Sequence, residues 1–287
     1  MNKTNCRSHT ALPVLLLAGF LTAAISPCTA EPADAPFFYD PAERMPKPDL
    51  SQIGQIRFLT TTDFPPFNFL DGSGKLTGLH VDIARAICAE LSLPDKCSIQ
   101  ALPWGELSGQ VERGEADAIL AGIDTNLDTR RRFAFTRPFL QFPARFVARK
   151  NSAGAFSAEK NLGNLRIGVV ARSAHEDMLR AYFPRAKVVV YDRAEWAQDD
   201  LRDGKTDAVF GDGMRLAFWT SGAASSDCCA LTGEPYLAPE YLGAGLTIAV
   251  SKSRPELAQA LDHALRKIEA SGQSVELYLR YFPVSFY

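Results

Sequence analysis

The chain lacks any cluster of metal-ligating side chains. Its four histidines (His9, His80, His175, His263) are scattered, and no two stand at ligand spacing. A metal centre or other cofactor is therefore not expected. Basic residues are not in excess either: 31 Lys and Arg face 33 Asp and Glu, for a formal net charge of -2. That leaves no electrostatic basis for nucleic acid or an anionic membrane as a partner. Long apolar runs are missing except for Leu12 to Ile25, which is too short to span a bilayer. It follows Lys3 and Arg7 and precedes the small residues Pro27-Cys28-Thr29-Ala30, so residues 1–30 read as a secretory signal peptide. Its removal takes two cations and no anion, so the mature chain carries -4. Cys6 and Cys28 leave with it. Four cysteines then remain in an oxidising compartment: Cys88, Cys97, Cys228 and Cys229.

What is present is an α/β pattern long enough for two modest domains. Residues 31–50 are proline-rich and read as an extended N-terminal arm. Ile56 to Leu59 reads as a buried strand. It runs into Asp63-Phe64-Pro65-Pro66-Phe67, where two prolines forbid ladder or helix and make a rigid loop at a strand's carboxyl end. Open α/β sheets hold ligands there. The loop offers aromatic rings and no catalytic dyad: either a packed hairpin or an aromatic wall for a small ligand. Asp71 to Gly74 is a turn, and from Leu79 a helix places Ile83, Ile87 and Leu91 on one stripe. Cys88 in that helix and Cys97 just beyond it are expected to form a disulfide. Vicinal bridge, free thiols and intermolecular pairing all remain open for Cys228 and Cys229.

A second unit repeats the plan. Leu165-Arg166-Ile167 echoes the strand at Ile56-Arg57-Phe58. Leu201 to Phe210 echoes Val111 to Leu120: a helix, a closing glycine, two residues, then Asp-Ala and an apolar strand. Two similar lobes are expected, with hinge strands near Phe142–Arg149 and Leu242–Ile248. The chain then crosses back, so that helices Pro255–Ala270 and Ser274–Tyr281 complete the first lobe. That assigns residues 51–145 and 246–287 to lobe 1 and 146–245 to lobe 2, with the site in the cleft between them.

Taken in order, Phe64-Pro65-Pro66-Phe67, Gly78-Leu79-His80-Val81-Asp82, Asp117-Ala118-Ile119, the arginine-rich turn before Phe135-Thr136-Arg137-Pro138, and Gly233-Glu234-Pro235-Tyr236 resemble the bacterial extracellular solute-binding proteins of family 3, which serve polar amino-acid ABC transporters. The resemblance spans roughly residues 54–284. It implies the type II periplasmic-binding-protein fold, a periplasmic location, a monomer, no catalysis, a small amino-acid-like ligand and an inner-membrane ABC permease as partner.

The resemblance also implies a site. Phe64 and Trp104 match rings that sandwich the ligand, with a core residue after Pro103 as the alternative for Trp104. Gly122 and Asp124 fall in the loop beside the ligand amino group, where Asp124 replaces a hydroxyl; it either lines the pocket or caps the following turn. Arg130 is the nearest match to the carboxylate clamp, but Thr129 holds the clamp's register and Arg131 is the fallback. Ser173 matches a ligand hydroxyl, with Ala174 replacing a Thr. His175 either faces the ligand or lies on the helix surface. Asp212 matches the carboxylate for the ligand ammonium, or caps the next helix. Thr61 stands where binders of basic amino acids keep an Asp. Two rival readings share this resemblance: a cyclohexadienyl dehydratase, for which Asp124 is the sole candidate acid, and an accessory protein of a quinoprotein dehydrogenase or a sensor.

Overall fold

The computed structural model describes Asp49 and residues 53–153, 162–282 and 284–287. The expected signal peptide and almost all of the N-terminal arm lie outside them. In chain order, β1 (Ile56–Thr60) leads to a small antiparallel sheet, β2 (Asp63–Phe64), β3 (Asn68–Leu70) and β4 (Leu76–Thr77). There follow α1 (Leu79–Glu90), β5 (Cys97–Ala101), α2 (Trp104–Glu112), β6 (Ala118–Ile119), α3 (Leu127–Arg132) and β7 (Phe133–Phe135). The second run is β8 (Ala144–Arg149), α4 (Lys150–Ala153), β9 (Arg166–Val170), α5 (Ala174–Tyr182), β10 (Lys187–Tyr191), α6 (Ala194–Arg202), β11 (Ala208–Asp212), α7 (Gly213–Ser221), β12 (Cys229–Tyr236) and α8 (Pro239–Leu242). The chain closes with β13 (Ala249–Ser251), α9 (Pro255–Ala270) and α10 (Gln273–Tyr281).

Two five-stranded mixed sheets result, ordered β5-β1-β6-β13-β7 and β10-β9-β11-β8-β12. Each is the centre of one α/β lobe of a type II periplasmic-binding-protein fold. Both are built from the repeated unit that the sequence shows: β1 pairs in parallel with β5 and β6, and β9 in parallel with β10 and β11.

Helix α9 packs beside the first sheet. Leu257, Leu261, Leu265 and Ile268 recur on one face of α9, and all four are buried with Ile56, Phe58 and Ile87. Burying each such side chain is worth about 1.5–3 kcal/mol. The chain crosses between lobes twice, and the two crossings meet. Leu140 and Leu246 form an antiparallel bridge, with Leu246 N donating to Leu140 O at 2.7 Å and Phe139 N to Leu246 O at 2.9 Å. The first crossing comes earlier than the expected 142–149: Ala144–Arg149 is a central strand of the second sheet, hydrogen-bonded on both edges. Its alternating apolar residues suit a hinge strand and a sheet strand equally, so periodicity could not separate them.

Cys88 and Cys97 are joined, with Cα atoms 6.2 Å apart, tying α1 to the start of β5. Cys228 and Cys229 form a vicinal disulfide at the start of β12. Among the described residues no helix is long and apolar enough to cross a membrane.

Candidate functional site

Strand order explains why distant residues converge. Trp104 opens the helix after β5, Phe64 lies just after β1, and Gly122 and Asp124 follow β6; these three strands are adjacent and parallel. In the second sheet, Ser173 follows β9 and Asp212 ends β11, which are also parallel neighbours. All these residues stand at carboxyl ends, where α/β sheets place ligand groups.

The aromatic wall is firmly seated. Phe64 stacks on Phe67 with ring centroids 4.7 Å apart, and Phe67 is wholly buried. Behind them Asn68 Nδ2 donates to Thr61 Oγ1 at 2.7 Å, which leaves Asn68 Oδ1 to accept from His80 Nδ1, also at 2.7 Å. All three residues are buried. Burial pulls the His80 imidazole down to about 3, so it is neutral. Gly78 is needed here: its φ is +125° and a Cβ would collide with the Phe67 carbonyl. Phe64 itself is 37% exposed and Trp104 54%, so each ring keeps a part open to solvent.

Gly122 is brought against Phe64. At φ +83°, a Cβ there would lie 3.4 Å from Phe64 Cε1 and 3.6 Å from Leu246 Cδ2. The Asp124 carboxylate accepts from Asn126 Nδ2 at 3.0 Å. Asn126, not Asp124, caps α3, in a capping box closed by Thr129. Asp124, the one acid open to a dehydratase reading, is thus engaged in the turn. Thr129 Oγ1 donates to the Asp124 carbonyl at 2.7 Å, so the residue in the clamp's register is held in the loop.

Arg130 is exposed, and among the described residues no carboxylate pairs with it. Its carbonyl accepts from Lys252 Nζ at 3.0 Å. The fallback Arg131 pairs with Asp128, and Arg132 with Glu112. Of the three consecutive arginines, Arg130 is the one whose guanidinium pairs with no carboxylate among the described residues.

On the second lobe, Ser173 caps α5: its Oγ accepts from Glu176 N at 3.1 Å and donates to Val170 O at 2.6 Å. That hydroxyl serves the loop. His175 is half-buried, with its ring 6.3 Å from that of Phe210. Burial draws its imidazole below the usual range, against the opposing pull of Asp212, while Arg215 pushes the same way as burial. Asp212 caps α7, with Oδ1 accepting from Arg215 N at 2.8 Å. Among the described residues its second oxygen accepts no hydrogen bond. Capping and ligand binding are therefore compatible for Asp212.

Two groups escaped sequence reading. Leu246 and Thr247 arrive from the returning crossing, and Thr247 Oγ1 lies 3.2 Å from Thr125 Oγ1. No motif marks residues that far along the chain. Arg215 was signalled only by standing three residues after a helix cap. Among the described residues no group of three or more His, Cys, Asp or Glu could hold a metal ion.

Residues 56–284 match the family described as bacterial extracellular solute-binding proteins, family 3. The ABC transporter arginine-binding protein 1 of Escherichia coli (strain K12) is 27% identical over 233 residues, covering 81% of this chain and 93% of that protein. The L-arginine-binding protein of Pseudomonas aeruginosa is 28% identical over 234 residues, covering 81% and 89%. Among solved structures, an ancestral cyclohexadienyl dehydratase superposes with a TM-score of 0.66 at 20% identity, covering 81% of this chain and 94% of that one. That likeness is one of fold.

Proposed function

Because the chain belongs to the bacterial extracellular solute-binding proteins of family 3, we propose that it captures a small amino-acid-like ligand between its lobes and delivers it to an inner-membrane ABC permease. In this reading it is a periplasmic monomer, exported by residues 1–30, whose lobes divide at the paired crossings around Leu140 and Leu246. The observation that carries it is a pair of opposite charges: among the described residues Arg130 on one lobe pairs with no carboxylate, and Asp212 at a strand end of the other has one carboxylate oxygen that accepts no hydrogen bond. An α-amino acid bears carboxylate and ammonium on one carbon, and a cleft that excludes water must match both. Supplying the two partners from different lobes also makes closure depend on the ligand.

Phe64 and Trp104 would take the ligand side chain, as aromatic faces bury apolar area and attract cations. The curated relatives named above are arginine-binding proteins, which favours an amino-acid ligand here without fixing its side chain. Thermal-shift screening of the mature protein against the standard amino acids and simple amines tests the reading. A ligand of the folded state raises the melting temperature by mass action. Failure of every amino acid to do so would overturn it.

A further inference from the structure

The two lobes also touch through side chains that follow α10. Phe282 and Phe286 are buried in the first lobe's core, and Phe286 N donates to Tyr278 Oη at 3.1 Å. From that anchor they reach three parts of the molecule. Phe286 stacks on Phe142 of the first crossing at 6.2 Å, and Tyr287 hydrogen-bonds through its hydroxyl to the Gln141 carbonyl. Phe282 meets Phe67, the ring beneath Phe64, at 5.8 Å. Phe282 also meets Phe218 of α7, on the second lobe, at 6.0 Å.

More of the second lobe joins this contact. Ala217 is buried within the first lobe's core cluster, and Met214 packs against it. Met214, Ala217 and Phe218 share one face of α7, at helical spacing. Arg145 of β8, itself 6% exposed, donates to Phe286 O at 3.1 Å and to Gly233 O at 2.9 Å. Gly213, the first residue of α7, lies so near that a Cβ would stand 3.4 Å from Phe286 O.

These contacts are made while the candidate ligand groups of the two lobes stay unjoined. Phe64 and Trp104 are solvent-exposed. Among the described residues no hydrogen bond or ion pair joins Phe64, Trp104, Asp124 or Arg130 to Ser173, His175 or Asp212. The contact between α7 and the Phe282–Phe286 pair is already at packing distance, and close-packed side chains cannot be compressed further. Closing the second lobe about the Leu140–Leu246 bridge requires α7 to shift against this pair, and a close-packed contact is lost rather than smoothly deformed by such a shift.

We propose that Phe282 and Phe286, gripping Met214, Ala217, Phe218 and Arg145 of the other lobe, form a strap that holds the empty protein open. The strap lowers ligand affinity by the fraction of molecules it keeps from closing. It touches no candidate ligand group except through Phe67. Its bearing on affinity rests on the binding reading above; its effect on the empty protein does not.

The test is made without ligand, on the mature chain. Nitroxide labels at Leu127→Cys and Glu195→Cys, exposed positions on different lobes, report the interlobe distance by pulsed electron resonance. Phe218→Ala should raise the short-distance population about threefold or more, the change that losing an aromatic contact gives. Met214→Ala, on the same face, should shift it in the same direction and covers the case of a poorly folded Phe218 variant. An unchanged distribution, or a shift to longer distances, in the folded variants would overturn the strap. Absence of amino-acid binding would sink the binding reading alone.

Discussion

Arg57 grips Asp117 twice over, with its own amide and its Nε each 2.8 Å from Asp117 Oδ2, while Nη2 reaches Oδ1 at 3.1 Å. The second lobe repeats the arrangement: Arg166 N and Nε donate to Asp207 Oδ2 at 2.8 and 3.2 Å. Each arginine also reaches the carbonyl of the glycine that closes the preceding helix, Gly114 or Gly204. The pair locks the start of one strand to the start of its parallel neighbour, and so fixes the register that places Phe64 beside Gly122.

The two copies differ in depth, which sets a stability prediction. The Asp117 side chain is 5% exposed and also pairs with Arg254 at 2.7 Å, whereas that of Asp207 is 27% exposed. Burial pushes the Asp117 carboxyl up, but Arg57 and Arg254 outweigh it and hold it below the usual range. Asp117→Asn should cost about 2–3 kcal/mol, because it leaves two arginines short of a counter-charge. Asp207→Asn should cost about 1 kcal/mol or less. Urea unfolding of both variants checks the order; equal losses would contradict it.

Buried His80 makes stability pH-dependent. Its folded pKa, pulled to about 3 by burial, lies below the unfolded value of about 6.5. Between those values the unfolded chain binds a proton that the folded chain refuses. The stabilisation is therefore complete above about pH 6.5 and is lost as pH falls toward 3. His80→Leu removes this contribution. The stability difference between wild type and variant should shift against wild type by about 2 kcal/mol from pH 7 to pH 5. A difference independent of pH would mean that His80 titrates in the fold as it does in the unfolded chain.

The Cys88–Cys97 disulfide closes a loop of separation 9 between α1 and β5. Replacing both cysteines by Ala should cost about 2–3 kcal/mol. Non-reducing mass spectrometry of the secreted protein should show the linked peptide. Free thiols at both positions would contradict the assignment.

How far the sequence led can be judged from particular residues. The repeat of Asp117-Ala118 in Asp207-Ala208 exposed the two-lobed plan, because apolar strand patterns and closing glycines are local signals. The salt link between Arg57 and Asp117 was not legible, since it joins residues 60 apart that only strand pairing brings together. Asn126 as the cap of α3 was missed because Asp124 and Asp128 flank it with equally good capping chemistry. The hinge was placed late because β8 alternates Ala144, Phe146 and Ala148 with Arg145, Val147 and Arg149, a pattern that a hinge strand and a sheet strand share. The Phe282–Phe218 contact depends on how the two lobes meet, and no periodicity encodes that.

Arg130 should matter for binding and little for folding. With no carboxylate partner among the described residues, Arg130→Ala should leave the melting temperature of the empty protein nearly unchanged. It should weaken an amino-acid ligand by about 2–5 kcal/mol. The same substitution at Arg131, which is engaged with exposed Asp128, should change neither by more than about 0.5 kcal/mol. Equal effects of the two substitutions on binding would remove Arg130 as the clamp.

Asp212 gives the most direct test of the amino-acid reading, because its cap and its charge can be separated. Asn is as good a helix cap as Asp but carries no charge. Asp212→Asn should therefore keep the fold, including the bond from Arg215 N. Isothermal titration of wild type and Asp212→Asn, using the amino acids that raise the wild-type melting temperature, reads the difference. The account predicts binding weakened by about 2–5 kcal/mol in the variant, the range for losing one partner of a buried charge pair. Wild-type affinity in Asp212→Asn would contradict it, and would mean that the cleft selects a ligand without an ammonium group at this position.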